Sequence, residues 1–368
     1  MAFLTGAYLE LVAHRRRGLF ADILRALLAV VAVPYAAVVI IRNTYYDLFP
    51  GAAKRVDAPV ISIGNLTVGG TGKTPIAAAI CQRLADRGRK PAILLRGYKS
   101  KASTRNANES DAVTARWREK SDEAMVLARR CPGAAVLVDP DRVASGRRAI
   151  HQGADVLVLD DGFQHRRLAR DLDIVLIDAT APFGHGHFLP RGLLREPPTA
   201  LRRADLVVLT RSNEVDGTTR SLIQRTLRRL AKDRPIIEAT HSTHGFLDLS
   251  GRPVQETDPT DMQAVLFAGI ANFESFRRSV ERLGVRVLAA YQYPDHHPYS
   301  AEELTGLADV AGEMEANILL TTEKDAVKIE GRWDEKAPRL LALNLAVEFP
   351  GDGDKILADA IDRILRDA

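Results

Sequence analysis

A short apolar run that ends in a glycine-rich loop and continues as a helix does most to limit the folds open to this chain. The stretch PVISIGNLTVGGTGKTPIAAAICQRLADRG occupies residues 59–88. Its order of strand, glycine loop, Lys-Thr and helix is that of a phosphate-binding loop, in which backbone N–H groups and the helix N-terminus face phosphate oxygens. Such a loop joins a strand of a parallel sheet to a helix, so the stretch predicts a P-loop α/β fold.

The loop departs from the usual pattern at one position. In G-x-x-x-x-G-K-[ST], Gly72, Lys73 and Thr74 fit, but Thr67 replaces the first glycine. The order of elements outweighs this substitution, and we predict nucleotide binding with Lys73 on phosphate oxygens and Thr74 beside Mg²⁺. A glycine-rich turn without a ligand is the alternative. The predicted nucleotide-binding residues are Thr67, Val68, Gly69, Gly70, Thr71, Gly72, Lys73 and Thr74.

Further apolar runs rich in β-branched residues alternate with helical patterns. They lie at 92–95, 135–138, 156–159, 174–177, 206–209 and 235–237. Near-continuous apolar strands separated by helices are typical of a parallel sheet covered on both faces. Residues 241–260 are rich in turn formers and read as a linker or small hairpin, after which the rhythm restarts. We therefore predict a doubly wound, P-loop NTPase-like domain at 51–240 and a second, smaller α/β domain at 261–368.

Residues 1–50 are set apart by a long uncharged stretch. The run ALLAVVAVPYAAVVII at 26–41 is shorter than the roughly 20 apolar residues that span a bilayer, and Pro34 is expected to kink a helix. Apolar residues upstream recur at helical spacing, and the arginines at 15–17 resemble an interfacial anchor. We predict a membrane-associated helix; a helix buried within the protein is the alternative.

Charge and cysteine content limit the partners and the compartment. The net charge is +4 and the pI is near 9.0, which shows no strong nucleic-acid footprint but suits an anionic surface or substrate. Two cysteines, Cys81 and Cys131, cannot form a disulfide framework and indicate a reducing compartment. We therefore predict no nucleic-acid partner, and the sequence identifies no protein partner.

Acidic residues follow another predicted strand. The stretch VLVLDDGFQH at 156–165 places Asp160 and Asp161 at the carboxyl end of that strand, the edge where ligands of open α/β sheets collect. In P-loop enzymes an acid at this position holds Mg²⁺ directly or through water. We predict that both aspartates and Thr74 contribute to a Mg²⁺ site; a solvated loop is the alternative.

Three other stretches carry polar residues in loops. PFGHGHFLPRGLLREPP at 182–198 reads as a substrate or active-site loop, since its H-x-H pair lacks a spaced third zinc ligand. YPDHHPYS at 293–300 has two readings of equal weight: an acid–base unit, or a turn before a helix capped by Ser300 and Glu303. TTEKDAVK at 321–328 reads as a solvated helix start.

Taken together, these stretches resemble the tetraacyldisaccharide 4′-kinases of lipid A biosynthesis, whose loop departs from the standard pattern in the same way. The resemblance covers most of the chain, in the family's order. Its motifs here are ISIGNLTVGGTGKTP, LLRGY, SDEAMVLA, LDDGFQH, LPRGLLREP, FAGIANFESF, YPDHH and LLTTEKDAVK. It implies ATP- and Mg²⁺-dependent phosphorylation of a tetraacyl glucosamine disaccharide 1-phosphate at its 4′-hydroxyl, giving lipid IVA. It also implies a lipid-linked substrate met at the cytoplasmic face of the bacterial inner membrane.

The resemblance also implies roles for single residues. Asp122 and His296 match a pair that accepts the proton of the sugar hydroxyl, and Glu196 matches an active-site acid placed with the Mg²⁺ ligands. His165 and Arg195 match neighbours of that site. A membrane-associated P-loop ATPase of the partitioning type, or a nucleotide switch, is the alternative function; neither needs an acid–base pair.

Two details leave the acid–base pair open. Ser121 stands where a glycine is expected before Asp122, and His297 directly follows His296. Because Asp122 falls in the first predicted domain and His296 in the second, we expect the pair to form only when the domains close on substrate.

Overall fold

The computed structural model describes residues 2–97, 121–254, 258–270, 272–334 and 336–366. These residues form two compact units. Unit 1 contains the described residues of 1–103, 133–241 and 347–368, and unit 2 contains those of 104–132 and 242–346. The units do not follow the linear boundaries expected from the sequence, because residues near 122–130 group with unit 2 and the C-terminal helix groups with unit 1.

The described residues form the following elements. The strands are β1 Val60–Asn65, β2 Pro91–Leu95, β3 Ala135–Val138, β4 Val156–Asp160, β5 Leu172–Asp178, β6 Leu206–Thr210, β7 Ile236–Leu247, β8 Pro253–Val254, β9 Gln263–Ala268, β10 Arg286–Gln292, β11 Ile318–Thr322 and β12 Arg339–Glu348. The α-helices are α1 Ala2–Val12, α2 Leu19–Leu48, α3 Lys73–Asp86, α4 Asp122–Arg130, α5 Arg142–His151, α6 Gly217–Ala231, α7 Phe273–Arg282, α8 Ala301–Glu313, α9 Glu323–Ile329 and α10 Gly353–Arg366.

Unit 1 is built on a parallel sheet with the strand order β7-β6-β5-β1-β4-β2-β3. The registers run parallel throughout, for example Ile63 beside Asp160 of β4. Every residue of β1, β2, β4, β5 and β6 is buried, as expected where helices cover both faces of a sheet. The doubly wound α/β fold predicted from the alternating apolar runs is therefore confirmed for this unit.

Helix α2 is longer than the apolar run that predicted it. It continues through Pro34 for 30 residues, although a kink was expected there. Pro34 and Val30 both lie on the exposed side of the helix, so the carbonyl that loses its N–H partner is not enclosed by protein. By length and composition α2 could cross a membrane, and only 17% of its most apolar window is buried. The alternative of a helix buried within the protein is therefore wrong.

Unit 2 is a smaller α/β unit. Strands β10, β9, β11 and β12 are parallel neighbours in that order. Strand β7 extends to Leu247, where Phe246 pairs antiparallel with Val254 of β8. The stretch 241–260 therefore contains a small hairpin, as one of its two readings stated, but its first residues continue a long strand. The alternation of strands and helices predicted after residue 260 is confirmed.

Candidate active site

The loop between β1 and α3 has the backbone that an anion site needs. Gly69 and Gly72 have φ of 127° and 82°, which residues with a side chain rarely adopt. A Cβ atom on Gly69 or Gly70 would meet nothing within 4 Å, so the loop is open on that side. Gly72 directly precedes α3, whose first N–H groups have no partner within the helix. The glycine positions therefore fit a phosphate group.

Side chains from the sheet hold this loop by its carbonyl oxygens. Thr210 donates to the carbonyl of Thr71 at 3.1 Å, and Arg211 donates to the carbonyl of Gly70 at 2.8 Å. The Asn65 amide donates to the Thr71 hydroxyl at 3.0 Å. Because these oxygens already accept hydrogen bonds from protein, the loop presents N–H groups rather than carbonyls to an incoming anion.

Thr67, the residue that breaks the loop pattern, joins the loop to the 182–198 stretch. Thr67 is buried and forms an isolated antiparallel bridge with Leu194. The neighbouring Val68 N–H donates to the carbonyl of Leu193 at 2.8 Å. A Cβ on Gly184 would lie 2.9 Å from the Thr67 methyl group, so that methyl packs closely on the glycine. Threonine at this position therefore packs against the second loop.

Lys73 and Asp161 lie together at the start of α3 and the end of β4. Lys73 Nζ is 3.6 Å from Asp161 Oδ1 and 3.4 Å from Asn65 Oδ1. Arg195 Nη1 donates to both oxygens of Asp161 at 2.8 Å. Burial alone would raise the pKa of Asp161, but the charges of Lys73 and Arg195 outweigh burial and lower it to about 2. Asp161 is therefore ionised at physiological pH, and its oxygens are occupied by cations.

Asp160 and Thr74 carry oxygen atoms of the kind that Mg²⁺ prefers, so their chemistry is compatible with the predicted site. Both side chains are almost fully buried, Asp160 at the end of β4 and Thr74 in the first turn of α3. Among the described residues no group of three or more His, Cys, Asp or Glu side chains gathers as a metal site. Mg²⁺ in nucleotide enzymes keeps several waters and takes one or two carboxylates plus substrate phosphates, so a sparse oxygen donor set is sufficient.

Arg142 is a residue of this region that the sequence did not reveal. Its side chain is 1% exposed, and Nη1 donates to the carbonyl of Asp161 at 3.3 Å. Burial lowers the pKa of Arg142 to about 10, opposed by Asp160 and Asp161, so the guanidinium is still charged near neutral pH. It supports Asp161, whose φ is 54°. In the sequence, the acidic run VDPDR at 138–142 was the only pattern that pointed to this region. Asp141 of this run is the N-cap of α5.

His165 is placed beside the same buried arginine. Burial, and then the positive charges of Arg142 and Arg170, lower the pKa of His165 to about 4. The imidazole is therefore neutral at physiological pH, which suits a hydrogen-bonding neighbour of the site better than a proton acceptor.

Glu196 is enclosed by hydrogen-bond donors and is not exposed to solvent. It is fully buried and accepts hydrogen bonds from Asn43 Nδ2 at 2.7 Å and Arg203 Nη1 at 2.9 Å. Arg42 Nη2 lies 3.6 Å from its other oxygen. Asn43 and Arg42 belong to α2, so Glu196 anchors that helix to the rest of unit 1. As a Mg²⁺ ligand Glu196 stays a prediction.

The predicted acid–base pair lies within unit 2. Asp122 is the first residue of α4, and its Oδ2 is 2.9 Å from Nδ1 of His296. Both residues belong to the same compact unit, so the expectation that the pair forms only on domain closure is wrong. Ser121, found where a glycine was expected, is the N-cap of α4, and its side chain accepts from the N–H of Ala124 at 3.3 Å. Serine is a preferred residue for that position.

The contact shifts the protonation of both partners in opposite directions. The hydrogen bond to Asp122 raises the pKa of His296, with burial acting the other way. Burial would raise the pKa of Asp122, but the hydrogen bond with His296 and the charge of Lys328 outweigh it and lower the pKa. Asp122 is therefore a carboxylate that orients the imidazole through Nδ1.

Helix α9 supplies a lysine to the pair, which the sequence reading missed. Lys328 Nζ lies 3.3 Å from Asp122 Oδ2 and 2.8 Å from Asp325 Oδ1. Asp325 is fully buried and accepts from the N–H of Gly269 at 3.1 Å. The stretch TTEKDAVK does start a helix, but the prediction that it is solvated is wrong, since Glu323 is buried as well. The stretch TTEKDAVK belongs to one of the motifs shared with the family, and this was the sequence signal that could have pointed to Lys328.

The two adjacent histidines make different contacts. His297 Nε2 is 2.9 Å from both oxygens of Glu303, and its ring stacks on Tyr293 at 4.7 Å. Ser300 and Glu303 form the capping box at the start of α8. The reading of YPDHHPYS as a capped turn is confirmed, and His297 belongs to that turn. His296 contacts Asp122, and its part in an acid–base unit stays a prediction.

Comparisons with known proteins cover nearly the whole chain. A family model described as LpxK, tetraacyldisaccharide-1-P 4′-kinase, matches residues 24–366. The chain is 43% identical over 320 residues to the tetraacyldisaccharide 4′-kinase of Anaeromyxobacter dehalogenans strain 2CP-C, covering 86% of this chain and 84% of that protein. It is 38% identical over 338 residues to the protein of the same name from Geobacter sulfurreducens, covering 91% and 92%.

A solved structure agrees with these relatives. The crystal structure of "apo" form LpxK from Aquifex aeolicus in complex with ATP is 32% identical, with a TM-score of 0.74, and the match covers 93% of this chain and 99% of that one. Because a family model, full-length relatives and a full-length structure all match, this chain belongs to the tetraacyldisaccharide-1-phosphate 4′-kinase family.

Proposed function

We propose that this protein transfers the γ-phosphoryl group of ATP to the 4′-hydroxyl of a tetraacyl glucosamine disaccharide 1-phosphate, forming lipid IVA. Family membership supports the reaction, and two sets of residues support the chemistry. The observation that carries the proposal over an ATPase or a nucleotide switch is the Asp122–His296 contact of 2.9 Å. Transfer to a sugar hydroxyl requires a proton acceptor, whereas a switch does not.

Unit 1 binds and positions the nucleotide. The N–H groups of the loop at 67–74 and the N-terminus of α3 bind phosphate oxygens, and Lys73 adds a positive charge. Mg²⁺, when bound, neutralises charge on the β- and γ-phosphate oxygens. Thr74 and Asp160 would hold it, since the oxygens of Asp161 already accept from Arg195. Asp161 keeps Lys73 and Arg195 at the sheet edge.

Unit 2 accepts the proton of the acceptor hydroxyl. Asp122 engages Nδ1 of His296, so Nε2 is the ring nitrogen that this contact leaves for the acceptor. The imidazole side chain is 49% exposed, which leaves it accessible to substrate. A histidine braced by a carboxylate accepts a proton near neutral pH and contributes roughly 10²–10⁴-fold in rate.

The acceptor carries acyl chains, so the enzyme meets it at a membrane. Apolar side chains on the exposed side of α2 support this placement; they include Leu19, Phe20, Ile23, Leu27, Val30 and Val31. We place the protein at the cytoplasmic face of the bacterial inner membrane, where ATP is available.

The test is ³²P transfer from [γ-³²P]ATP to the tetraacyl disaccharide 1-phosphate in detergent micelles. We expect wild type to label the lipid, and Lys73→Ala, His296→Gln and Asp122→Asn to lose at least about 100-fold in kcat/KM. His297→Gln is the matched control and should stay within a few-fold of wild type. ATP hydrolysis by wild type without labelled lipid would instead favour the ATPase or switch function.

A further inference from the structure

A group of basic side chains surrounds the turn between α1 and α2. His14 and Arg15 lie in this turn, and His185 and Arg191 lie in the 182–198 stretch. We name these four residues the basic junction. The Tyr8 hydroxyl of α1 contacts the carbonyl oxygens of Pro190 and Gly192 at 2.8 and 3.2 Å, on either side of Arg191. These contacts hold α1 against the 182–198 stretch.

Arg191 is buried without an anionic partner. Its side chain is 8% exposed, and its Nη2 is 2.9 Å from Nε2 of His14. Its Nη1 is buried and makes no hydrogen bond. No carboxylate lies within salt-bridge distance of Arg191 among the described residues. A buried guanidinium that lacks an anion is costly, so the arrangement calls for an anionic ligand.

The nearby carboxylates are already paired. Glu10 accepts from Arg16 Nε at 2.9 Å, and Asp22 accepts from Arg25. Burial, and then the positive charges of His14, Arg15 and Arg191, lower the pKa of His185. The junction therefore has an excess of positive charge that the described acids of this region do not balance.

The position of the junction indicates the kind of anion. Arg191 is four residues from Arg195, so their Cα atoms are at most about 14 Å apart. Arg195 contacts Asp161, which contacts Lys73. Arg15 also precedes the start of α2 by four residues, and Leu19 and Phe20 there are 78% and 80% exposed. An anion here would lie near exposed apolar side chains and within one short loop segment of the residues that contact Lys73, as suits the phosphate of an acylated molecule.

We propose that the basic junction binds the phosphate group of an acylated lipid, and specifically the 1-phosphate of the acceptor. This inference rests on the proposed function, since the acceptor carries that phosphate at the end opposite its reacting hydroxyl. Arg191 donates to phosphate oxygens through Nη1, and Arg15 adds positive charge. An anionic phospholipid offers the same chemistry from another source.

The test compares Arg191→Gln, Arg191→Lys and Arg15→Gln with wild type. Arg229→Gln on α6 is the control, because it removes one exposed arginine elsewhere in unit 1. Equilibrium binding of the acceptor without ATP is measured beside binding of the same lipid lacking its 1-phosphate. We expect Arg191→Gln to weaken binding of the phosphorylated lipid about tenfold or more, with Arg191→Lys intermediate. Binding of the dephosphorylated lipid should not change.

Several outcomes separate the alternatives. Equal preference for the 1-phosphate in wild type and in all variants, together with unchanged binding to phosphatidylglycerol vesicles, would overturn the proposal. A loss confined to those vesicles would overturn the assignment to the acceptor and point to a phospholipid. If Arg191→Gln unfolds, Arg15→Gln decides, since Arg15 is exposed. Failure of wild type to phosphorylate the lipid would refute the proposed function. The binding measurements, which need no ATP, would still show whether Arg191 recognises the 1-phosphate.

Discussion

At the residue scale, His296 and His297 show that partners rather than sequence neighbours set a side chain's chemistry. His296 contacts Asp122 and is about half exposed, whereas His297 contacts Glu303 and stacks on Tyr293. A histidine hydrogen-bonded to a carboxylate keeps its proton to higher pH. Of the two, His296 is the one placed to exchange a proton with a ligand.

The first prediction concerns the titration of His296. Because the charged imidazole is stabilised by the hydrogen bond to Asp122, its pKa lies above the ordinary 6.5. Removing the carboxylate in Asp122→Asn should lower that pKa, so His296 loses its proton at a lower pH than in wild type. NMR of histidine-labelled protein, with His296→Gln to assign the signal, measures both values. An unchanged or higher pKa in Asp122→Asn would contradict the pairing.

The second prediction concerns two glycines of the phosphate loop. Gly69→Ala places a side chain at φ 127°, which costs about 1–3 kcal/mol of backbone strain, although space is open there. The loop must distort to bind ATP, and about 1.4 kcal/mol corresponds to a factor of ten in an equilibrium constant. We therefore expect the KM of this variant for ATP to rise by about tenfold or more. Gly70→Ala, with equally open space and no positive φ, is the control and should bind ATP nearly as wild type does.

At the element scale, functional residues occur in the first turns of helices. Lys73 opens α3 and Asp122 opens α4. The first four N–H groups of a helix lack partners within it, and its N-terminus carries a partial positive charge that favours anions. The first turn of α3 thus suits phosphate, and that of α4 helps to keep Asp122 ionised. Helix α2 is different, because its polar contact with the rest of unit 1 comes from Asn43, near the end of the helix.

The third prediction concerns the attachment of α2. Asn43→Ala removes a donor from the fully buried Glu196, and losing a hydrogen bond to a buried charge costs about 1–3 kcal/mol. We expect a lower unfolding free energy in urea, together with faster proteolysis near α2. Thr44→Ala, at the adjacent exposed position, is the control and should change stability by less than about 0.5 kcal/mol.

At the scale of the whole molecule, one helix combines a protein-facing stripe with a broad apolar surface. The buried positions of α2 are Ala21, Arg25, Ala32, Val39 and Asn43. Their spacing defines one side of the helix, and the remaining sides expose large apolar residues. Exposed apolar surface of this extent marks a site of association, and on this helix a membrane is the partner we propose.

The fourth prediction tests that surface. Leu27→Glu places a charge on α2, and Leu222→Glu does the same on α6; the two leucines are 58% and 57% exposed. We expect Leu27→Glu to reduce flotation with vesicles by several-fold, because a charge disfavours the apolar part of the bilayer. Leu222→Glu should float as wild type does. Equal behaviour of the two variants would mean that α2 is not the membrane contact.

The sequence alone determined the local features: the phosphate loop, the alternation of strands and helices, and the apolar helix near the N-terminus. These features depend on the order and periodicity of nearby residues, which can be read directly from the sequence. The resemblance of several motifs to those of a known family identified Asp122 and His296 as candidate site residues. Only the tertiary structure decided that these two, 174 residues apart, meet within one unit, and that Lys328 joins them.

The same distinction explains what the sequence did not reveal. Arg142 donates to the carbonyl of Asp161, and Glu196 anchors α2, because packing brings distant segments to the same place. Charges such as those of TTEKDAVK read as solvated in a local window, yet Asp325 is buried because Gly269 and Lys328 satisfy it. Burial and pairing depend on contacts between residues far apart in the chain, and local patterns do not encode those contacts.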